Sequence, residues 1–392
     1  MKSYYWLVSI FALLCSVSCL AGCDLFADGK SYPEGDGLLD PYEQAAALAR
    51  GVNFGDLLEA YPNEGSWTNG LVTEESHFVL AKAAGFDSIR IPIRFSDHAS
   101  NMMPYAIDGD FFARVDQVIG WGLDNGLRIV IDLHHYLEIQ DDPYGHSARF
   151  IALWKQVASR YRSYPDTVYF ELMNEPNGQL YGEAYNQLIA DTLFAIRKID
   201  NHHTVIVSCA DWGNPSALSA LELPEEERNC IVTFHYYKDI FCFQGEEWAG
   251  DQYRTTGITW PGPPAVPVTP AEGVVGYAAS WIEAYNTLPS ETNPLSAETV
   301  HAEIAAAAAW GEAQARPLWM GEFCVHHMTD MASRAGWTGC VREELEAYGI
   351  GWSYFSLLSS LATTLYDVDG DVWLVDIMDA LGMDTSDLPV LE

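Results

Sequence analysis

Positive charge is what this chain has least of. Lys and Arg together number 20 against 55 Asp and Glu, a formal net charge of −35. That balance excludes polyanionic partners, because nucleic acid and anionic membrane surfaces are repelled by such a protein. Lysine is scarcer than arginine, so the surface is acidic and heavily hydrated. Cysteine occurs eight times but never as a CxxC pair or at a Cys/His spacing that would hold zinc. No glycine-rich phosphate fingerprint follows any strand, which counts against a doubly wound nucleotide-binding sheet. Internal repeats and a second domain are also missing. No metal or cofactor is expected.

The N-terminus carries what the rest lacks, a long apolar run. Met1-Lys2 precedes the stretch Tyr4 to Leu20, which ends in Leu20-Ala21-Gly22-Cys23. A positive start, an apolar core and small residues before a cut describe an export signal. Cysteine directly after Leu-Ala-Gly resembles the bacterial lipoprotein box. It implies a mature chain that begins at a lipidated Cys23, held by its lipid at the cell envelope or cell surface. The expected organisation is a signal over 1–22, a Gly/Asp-rich tether over 23–42, and one domain over 43–392. Cys15 and Cys19 leave with the signal. Cys209, Cys230, Cys242, Cys324 and Cys340 then remain, an odd number, so at least one thiol is unpaired although export permits disulfides.

From residue 47 onward, short apolar stretches alternate with amphipathic ones. Strands are predicted at 49–54, 86–93, 127–135, 167–173, 204–209, 230–237, 316–323 and 350–357. The intervening helices include one at 73–84 capped by Thr73, then 110–126, 146–161, 181–200, a short one near 215–222, 299–315, 331–348 and a last one at 373–382. Strands without polar alternation are buried on both faces, as in parallel sheets. Eight strand–helix units fit a closed (β/α)8 barrel. The segment from Lys238 to about Pro294, dense in proline at 258–270, reads as a long irregular loop after strand six on the catalytic face. Tyr366 to Asp371 looks faintly like a calcium loop, but it lacks the spacing and the closing Glu. It reads as the loop after strand eight.

Barrel active sites collect at the C-terminal strand ends. Those ends carry Arg90, Asp132 and His134, Asn174 with Glu175, His235 with Tyr237, and Glu322. Proline at 176 stops the fourth strand and leaves Glu175 at its mouth. Glu175 and Glu322 form a carboxylate pair, the apparatus of glycoside hydrolysis. A separation of about 5–5.5 Å gives retention and about 6.5–9.5 Å inversion. Arg90 is placed to keep Glu322 ionised, Tyr237 to donate to it, Asn174 to offer an amide to a sugar hydroxyl, and His134 and His235 to orient a carboxylate or the sugar. With aromatics at 13%, among them 13 Trp, stacking platforms for sugar rings are available, and Trp212 and Trp248 are the candidates.

These motifs resemble glycoside hydrolase family 5, the cellulase-like retaining hydrolases. The residues that carry the likeness are RGVNFGDLLEA (50–60), GFDSIRIPIRFSDH (85–98), IVIDLHH (129–135), ELMNEPN (171–177), FHYY (234–237), LWMGEF (318–323) and GIGWSYFSL (349–357). The resemblance implies a single-domain (β/α)8 barrel, with Glu175 as acid/base and Glu322 as nucleophile. It also implies Arg90, His134, Asn174, His235 and Tyr237 as the supporting polar residues, and a cleft-lining loop at 239–248. Two departures stand out. Cys324 follows Glu322-Phe323 where many relatives have Gly, and Phe355 stands where the family has a Trp platform. The implied activity is an endo-β-1,4-glucanase, a monomer acting on polysaccharide with retention. β-Mannan, xyloglucan and β-1,3-glucan are alternative substrates within the family. A different class of reading is a non-catalytic glycan-binding surface lipoprotein. A metal-dependent hydrolase would need more ligands than His134-His135.

Overall fold

Eight strands of four to six residues, each hydrogen-bonded in parallel to its neighbours in chain order, close on themselves. They are β1 (Arg50–Asn53), β2 (Ser88–Ile91), β3 (Arg128–Asp132), β4 (Val168–Glu171), β5 (Val205–Ser208), β6 (Cys230–His235), β7 (Leu318–Glu322) and β8 (Gly351–Tyr354). β8 returns to β1 through the register Arg50 with Trp352 and Val52 with Tyr354, which seals the barrel. The computed structural model describes residues 39–359 and 363–391. The expected export signal, the expected lipid site Cys23 and the expected tether as far as residue 38 lie outside the described residues. The expected boundary at 42/43 falls inside the first described helix, Pro41–Ala46.

Side chains alternate along each strand, and the two faces meet different partners. Ile129 and Ile131 of β3, Val168 and Phe170 of β4 and Leu318 and Met320 of β7 point outward into the layer packed under the helices. Val130, Tyr169, Ile206, Ile231 and Trp319 point inward and form a separate apolar cluster with Ala45 and Leu48. The helix Pro41–Ala46 therefore closes the N-terminal end of the barrel. Tyr169 fixes it there by donating its hydroxyl to Gln44 Oε1 at 2.7 Å. Above this apolar layer the inward positions turn polar: Asn53, Arg90, Asp132, Glu171, His235 and Glu322 are all buried. The barrel is thus greasy at its base and ionic at its C-terminal mouth.

The outer helices obey the expected periodicity. Gly109–Asp124 starts at Asp108, whose Oδ1 accepts from Asp110 and Phe111, and it buries Phe112, Val115, Val118, Ile119 and Gly122. A Cβ on Gly122 would sit 2.2 Å from Ile129 Cδ1, so glycine there sets how closely this helix rides on β3.

Several expected boundaries are corrected. The helix expected at 73–84 runs Glu75–Ala83 with Glu74, not Thr73, at its N-cap. The Thr73 amide is taken by Glu64, and the Glu74 amide donates to His77 Nδ1 at 3.1 Å, so the cap moves one residue on. The expected strands are trimmed at their ends, and Asn174-Glu175 lies in a turn beyond β4. The stretch near 215–222 is a 3-10 helix at Pro215–Ala220. The long segment after β6 is more ordered than a loop, with a helix at Gly276–Thr287 that buries Ala278, Trp281, Ile282 and Tyr285. The last helix shrinks to Val375–Ala380, because Tyr366–Asp367 and Val372–Trp373 form a small antiparallel hairpin before it. The five cysteines at 209, 230, 242, 324 and 340 are all free thiols, and only Cys340 is not fully buried. No described helix is long and apolar enough to cross a membrane.

Trp319 is the largest inward side chain of the basal layer and is fully buried. Trp319→Ala should cost about 3–5 kcal/mol of unfolding free energy in a denaturant titration. A loss below about 1 kcal/mol would show that this layer is not close-packed.

Candidate active site

The polar layer is assembled by strand register. Asn53 pairs with Arg90 across β1 and β2, Asp132 with Glu171 across β3 and β4, and His235 with Glu322 across β6 and β7. An irregularity between Phe234 and His235 sets the last pairing. Gly321 is the reason His235 fits, since a Cβ there would lie 3.0 Å from His235 Nε2 and 2.9 Å from Thr233 Oγ1.

Arg90 sits at the centre with no exposed side-chain surface. Its Nε and Nη2 hold Glu171 in a two-pronged pair at 2.6 and 2.8 Å. Nη2 also reaches Asp132 Oδ2 and Asn174 Oδ1, both at 2.8 Å. Nη1 donates to Asn53 Oδ1 at 3.0 Å and to Glu322 Oε1 at 2.6 Å. A guanidinium has five N–H groups in a rigid fork, and here six acceptors surround them. The second oxygen of Glu322 accepts from the Tyr237 hydroxyl at 3.1 Å. Because Asn174 Oδ1 is taken by Arg90, its NH2 end is turned away from the guanidinium.

Glu175 is the one member of the pair that meets the cleft, with its side chain 25% exposed against 8% for Glu322. Its backbone lies in the left-handed region at φ 45°, which is costly for a side chain with a Cβ and persists only when neighbours impose it. Those neighbours are visible. Asn177 Nδ2 donates to the Glu175 carbonyl at 3.0 Å, Trp212 N to the Pro176 carbonyl at 3.2 Å, and Gln179 N to the Gln140 carbonyl at 2.8 Å. His235 Nδ1 lies 2.9 Å from Glu175 Oε1 and 3.6 Å from Glu322 Oε2. Ligating atoms of Glu175, His235 and Glu322 all fall within 4.8 Å of one another. Carboxylate oxygens that approach this closely point to the short spacing of retaining glycosidases rather than the wider spacing of inverting ones.

One cation facing this many carboxyls makes ionisation unequal. Burial pushes Glu175 up to about 7, against the pull of Arg90 and with a further push from Glu171 and Asp132. Burial also raises Glu322, while His235 and Arg90 pull it back. Asp132, buried but facing Arg90 and accepting from the Ile93 amide, rises to about 6. His235 is lowered, chiefly by burial, and His134 lies well below the ordinary histidine range for the same reason, so both are neutral at pH 7. His235 Nε2 is buried without a partner, which favours the tautomer that carries its proton on Nδ1, facing Glu175. His134 Nδ1 meets Asp132 Oδ2 at 2.7 Å.

A family model described as Cellulase (glycosyl hydrolase family 5) matches residues 49–360, the whole barrel. The chain belongs to glycosyl hydrolase family 5. Endoglucanase H of Acetivibrio thermocellus is 29% identical over 349 residues, which cover 88% of this chain and 34% of that protein. Endoglucanase A of Paenibacillus barcinonensis is 28% identical over 238 residues, 52% of this chain and 59% of that protein. The chain therefore spans between about a third and three fifths of these two curated relatives. The crystal structure of endoglucanase Cel5A from Thermotoga maritima superposes with a TM-score of 0.74 at 39% identity, covering 88% of this chain and all of that one. Cel5A has also been solved with cellobiose and with mannotriose.

Within this family 5 barrel, the sequence-predicted residues are not equally central. Arg90, Asn174, Tyr237 and Glu322 meet in one hydrogen-bonded set, His134 joins it through Asp132, and the Glu175–His235 pair abuts it where His235 Nδ1 comes within 3.6 Å of Glu322. Arg90 lies within β2 rather than after it. Phe355 is half-buried just past β8, its ring lying where a Cβ on Gly55 would be, 2.3 Å from Cζ. Trp212 and Trp248 stand outside the set as exposed rings. Sequence reasoning missed Glu171, the two-pronged partner of Arg90, and Asn53, which bridges Arg90 to the Gly321 carbonyl. Both are polar residues at the inward phase of otherwise apolar strands, and that signal was readable. It also missed Trp67, whose ring meets His135 edge-on at 5.6 Å on the same face. Among the described residues, Glu175, His235 and Glu322 are the one set with three ligand atoms close enough to hold a cation.

The raised Glu175 makes stability fall with pH. Both states are protonated below the unfolded value near 4.5. Between 4.5 and about 7 only the unfolded chain ionises this group, so its contribution is lost across that window. Glu175→Gln should remove about 2–3 kcal/mol of the fall in unfolding free energy between pH 4 and pH 8, leaving the parts due to the other buried, raised carboxyls, Asp132, Glu322 and Glu59. An unchanged pH profile of stability would contradict the raised value.

Proposed function

We propose that this chain is an endo-acting β-1,4-glucanase that cleaves with net retention by double displacement. The single observation that carries the reading is the Glu175/Glu322 pair: two carboxyls at retaining distance, one aimed at the cleft with its proton held to about 7, the other bonded to Arg90 and Tyr237. Glu175 donates its proton to the departing glycosidic oxygen while Glu322 attacks the anomeric carbon. The C–O bond breaks as the glycosyl ester to Glu322 forms. Glu175, now a carboxylate, takes a proton from water, whose oxygen attacks the same carbon and releases Glu322. His235, donating from Nδ1 to Glu175 Oε1, leaves Oε2 to carry the mobile proton. Tyr237 and Arg90 keep Glu322 anionic until attack. The Asn174 amide is free to donate to the sugar 2-hydroxyl, where bonds strengthen in the transition state. Trp212, Trp248 and Phe355 supply sugar-stacking faces.

β-1,4-Glucan is the preferred substrate because the curated relatives above carry the name endoglucanase. A second reading, β-1,4-mannan, is favoured by one observation: the similar Thermotoga maritima Cel5A has been solved with mannotriose as well as with cellobiose. The intact carboxylate pair argues against a purely glycan-binding role. The sequence LAGC at 20–23 supports export and lipid attachment through Cys23 to the bacterial envelope or surface.

Glu322→Ala should lower kcat on carboxymethylcellulose by at least about 10⁴-fold, with azide or formate restoring turnover as the small anion replaces the nucleophile. Near-normal turnover by Glu322→Gln would refute the assignment. The basic limb of kcat/KM should fall near pH 7, since protonated Glu175 is required. A chelator should leave the rate unchanged, whereas loss of activity on chelation would favour a metal-dependent hydrolase.

A further inference from the structure

Trp248 is 68% exposed, yet it is held on three sides. Its Nε1 donates to Glu246 Oε2 at 3.1 Å, its ring meets Phe243 edge-on at 5.7 Å, and it leans over His326 at 5.5 Å. Fixing a large ring that remains in water costs rotamer entropy without the return of burial, so the restraint asks for a reason. Glu246 is itself 9% exposed, and glutamate is rarely so buried unless paired. Its other oxygen lies 3.3 Å from His326 Nδ1 and 3.4 Å from His327 Nδ1. His326 is anchored by its amide, which donates to the Cys242 carbonyl at 2.9 Å. The stack also leads to the reacting centre, because Phe243 packs 5.1 Å from Tyr237, whose hydroxyl donates to Glu322.

We propose that Glu246 is a positioning residue, whose hydrogen bond to the Trp248 indole sets that ring as a rigid platform for a β-linked pyranose unit away from the scissile bond. The inference rests on the glycanase reading above. A pyranose with equatorial substituents presents axial C–H groups, which suit the negative face of an indole. Glu246 touches no substrate. It acts through Trp248, while His326 and His327 from the loop after β7 lie against its other oxygen.

The test is a double-mutant cycle on a soluble β-1,4-glucan. Trp248→Ala, Glu246→Ala and the double variant should each raise KM about five- to tenfold with kcat within about twofold of the unsubstituted chain. Glu246→Ala should add nothing once Trp248 is gone. Glu246→Gln, which keeps an acceptor for the indole N–H, should restore KM to within about twofold. Additive effects of the two alanine substitutions, or a Glu246→Gln variant as impaired as Glu246→Ala, would overturn the proposal. An unchanged KM in Trp248→Ala, with the unsubstituted chain turning over glucan, would overturn the platform alone. No turnover by the unsubstituted chain on any β-glycan would overturn the glycanase reading and the platform with it.

Discussion

The Arg90 guanidinium is the constraint around which the site is built. Six oxygens from β1, β3, β4, β7 and the turn after β4 converge on its five N–H groups, entirely out of water. Such a charge is tolerable only because every donor is used and the carboxylates opposite it repay its desolvation. The same convergence makes the barrel mouth a single electrostatic unit. Asp132, Glu171 and Glu322 share one cation, so the site carries an excess of negative charge, and the cheapest relief is a proton on the carboxyl that lacks a guanidinium contact. That carboxyl is Glu175.

The division of labour in the proposed mechanism follows from that asymmetry rather than from any difference between the two glutamates as residues. Glu322 is held by a charge and a phenol, while Glu175 is held by a neutral imidazole and a strained turn. The apolar layer beneath, with Trp319 and Tyr169, keeps water from reaching Arg90 from below and so preserves the low dielectric on which these shifts depend. Opposite that layer, Glu175 keeps a quarter of its side chain exposed, so the pair is open to substrate on its side.

Much of this was legible in the sequence because barrel geometry maps strand order onto space. Asn174-Glu175-Pro176 and Gly321-Glu322-Phe323 each mark a strand end, and eight strand–helix units place those ends around one mouth. What was not legible was register and depth. Glu171 reads as one more residue of an apolar strand until alternation along β4 is counted from Tyr169. Asn53 likewise hides at the end of β1. The cap at Glu74 in place of Thr73 was decided by Glu64, from further back in the same connection, and the Gly276–Thr287 helix follows a proline-rich stretch that reads as irregular loop. The position of Trp248 depended on Glu246 and His326, which are far apart in sequence. For the cap and for the contact of Trp248 with His326, partners outside the local window settled the outcome, whereas Glu171 and Asn53 stood at a strand phase that could have been counted.

The central claim is that Glu175 holds the proton and Glu322 the charge. It is tested most directly by pH titration of carbon-13-labelled glutamate carboxyls in the intact chain. A glutamate resonance with its midpoint near pH 7 should be present, should disappear in Glu175→Gln, and should survive in Glu322→Gln. A resonance near pH 7 that vanishes in Glu322→Gln and persists in Glu175→Gln would reverse the two roles and contradict the account.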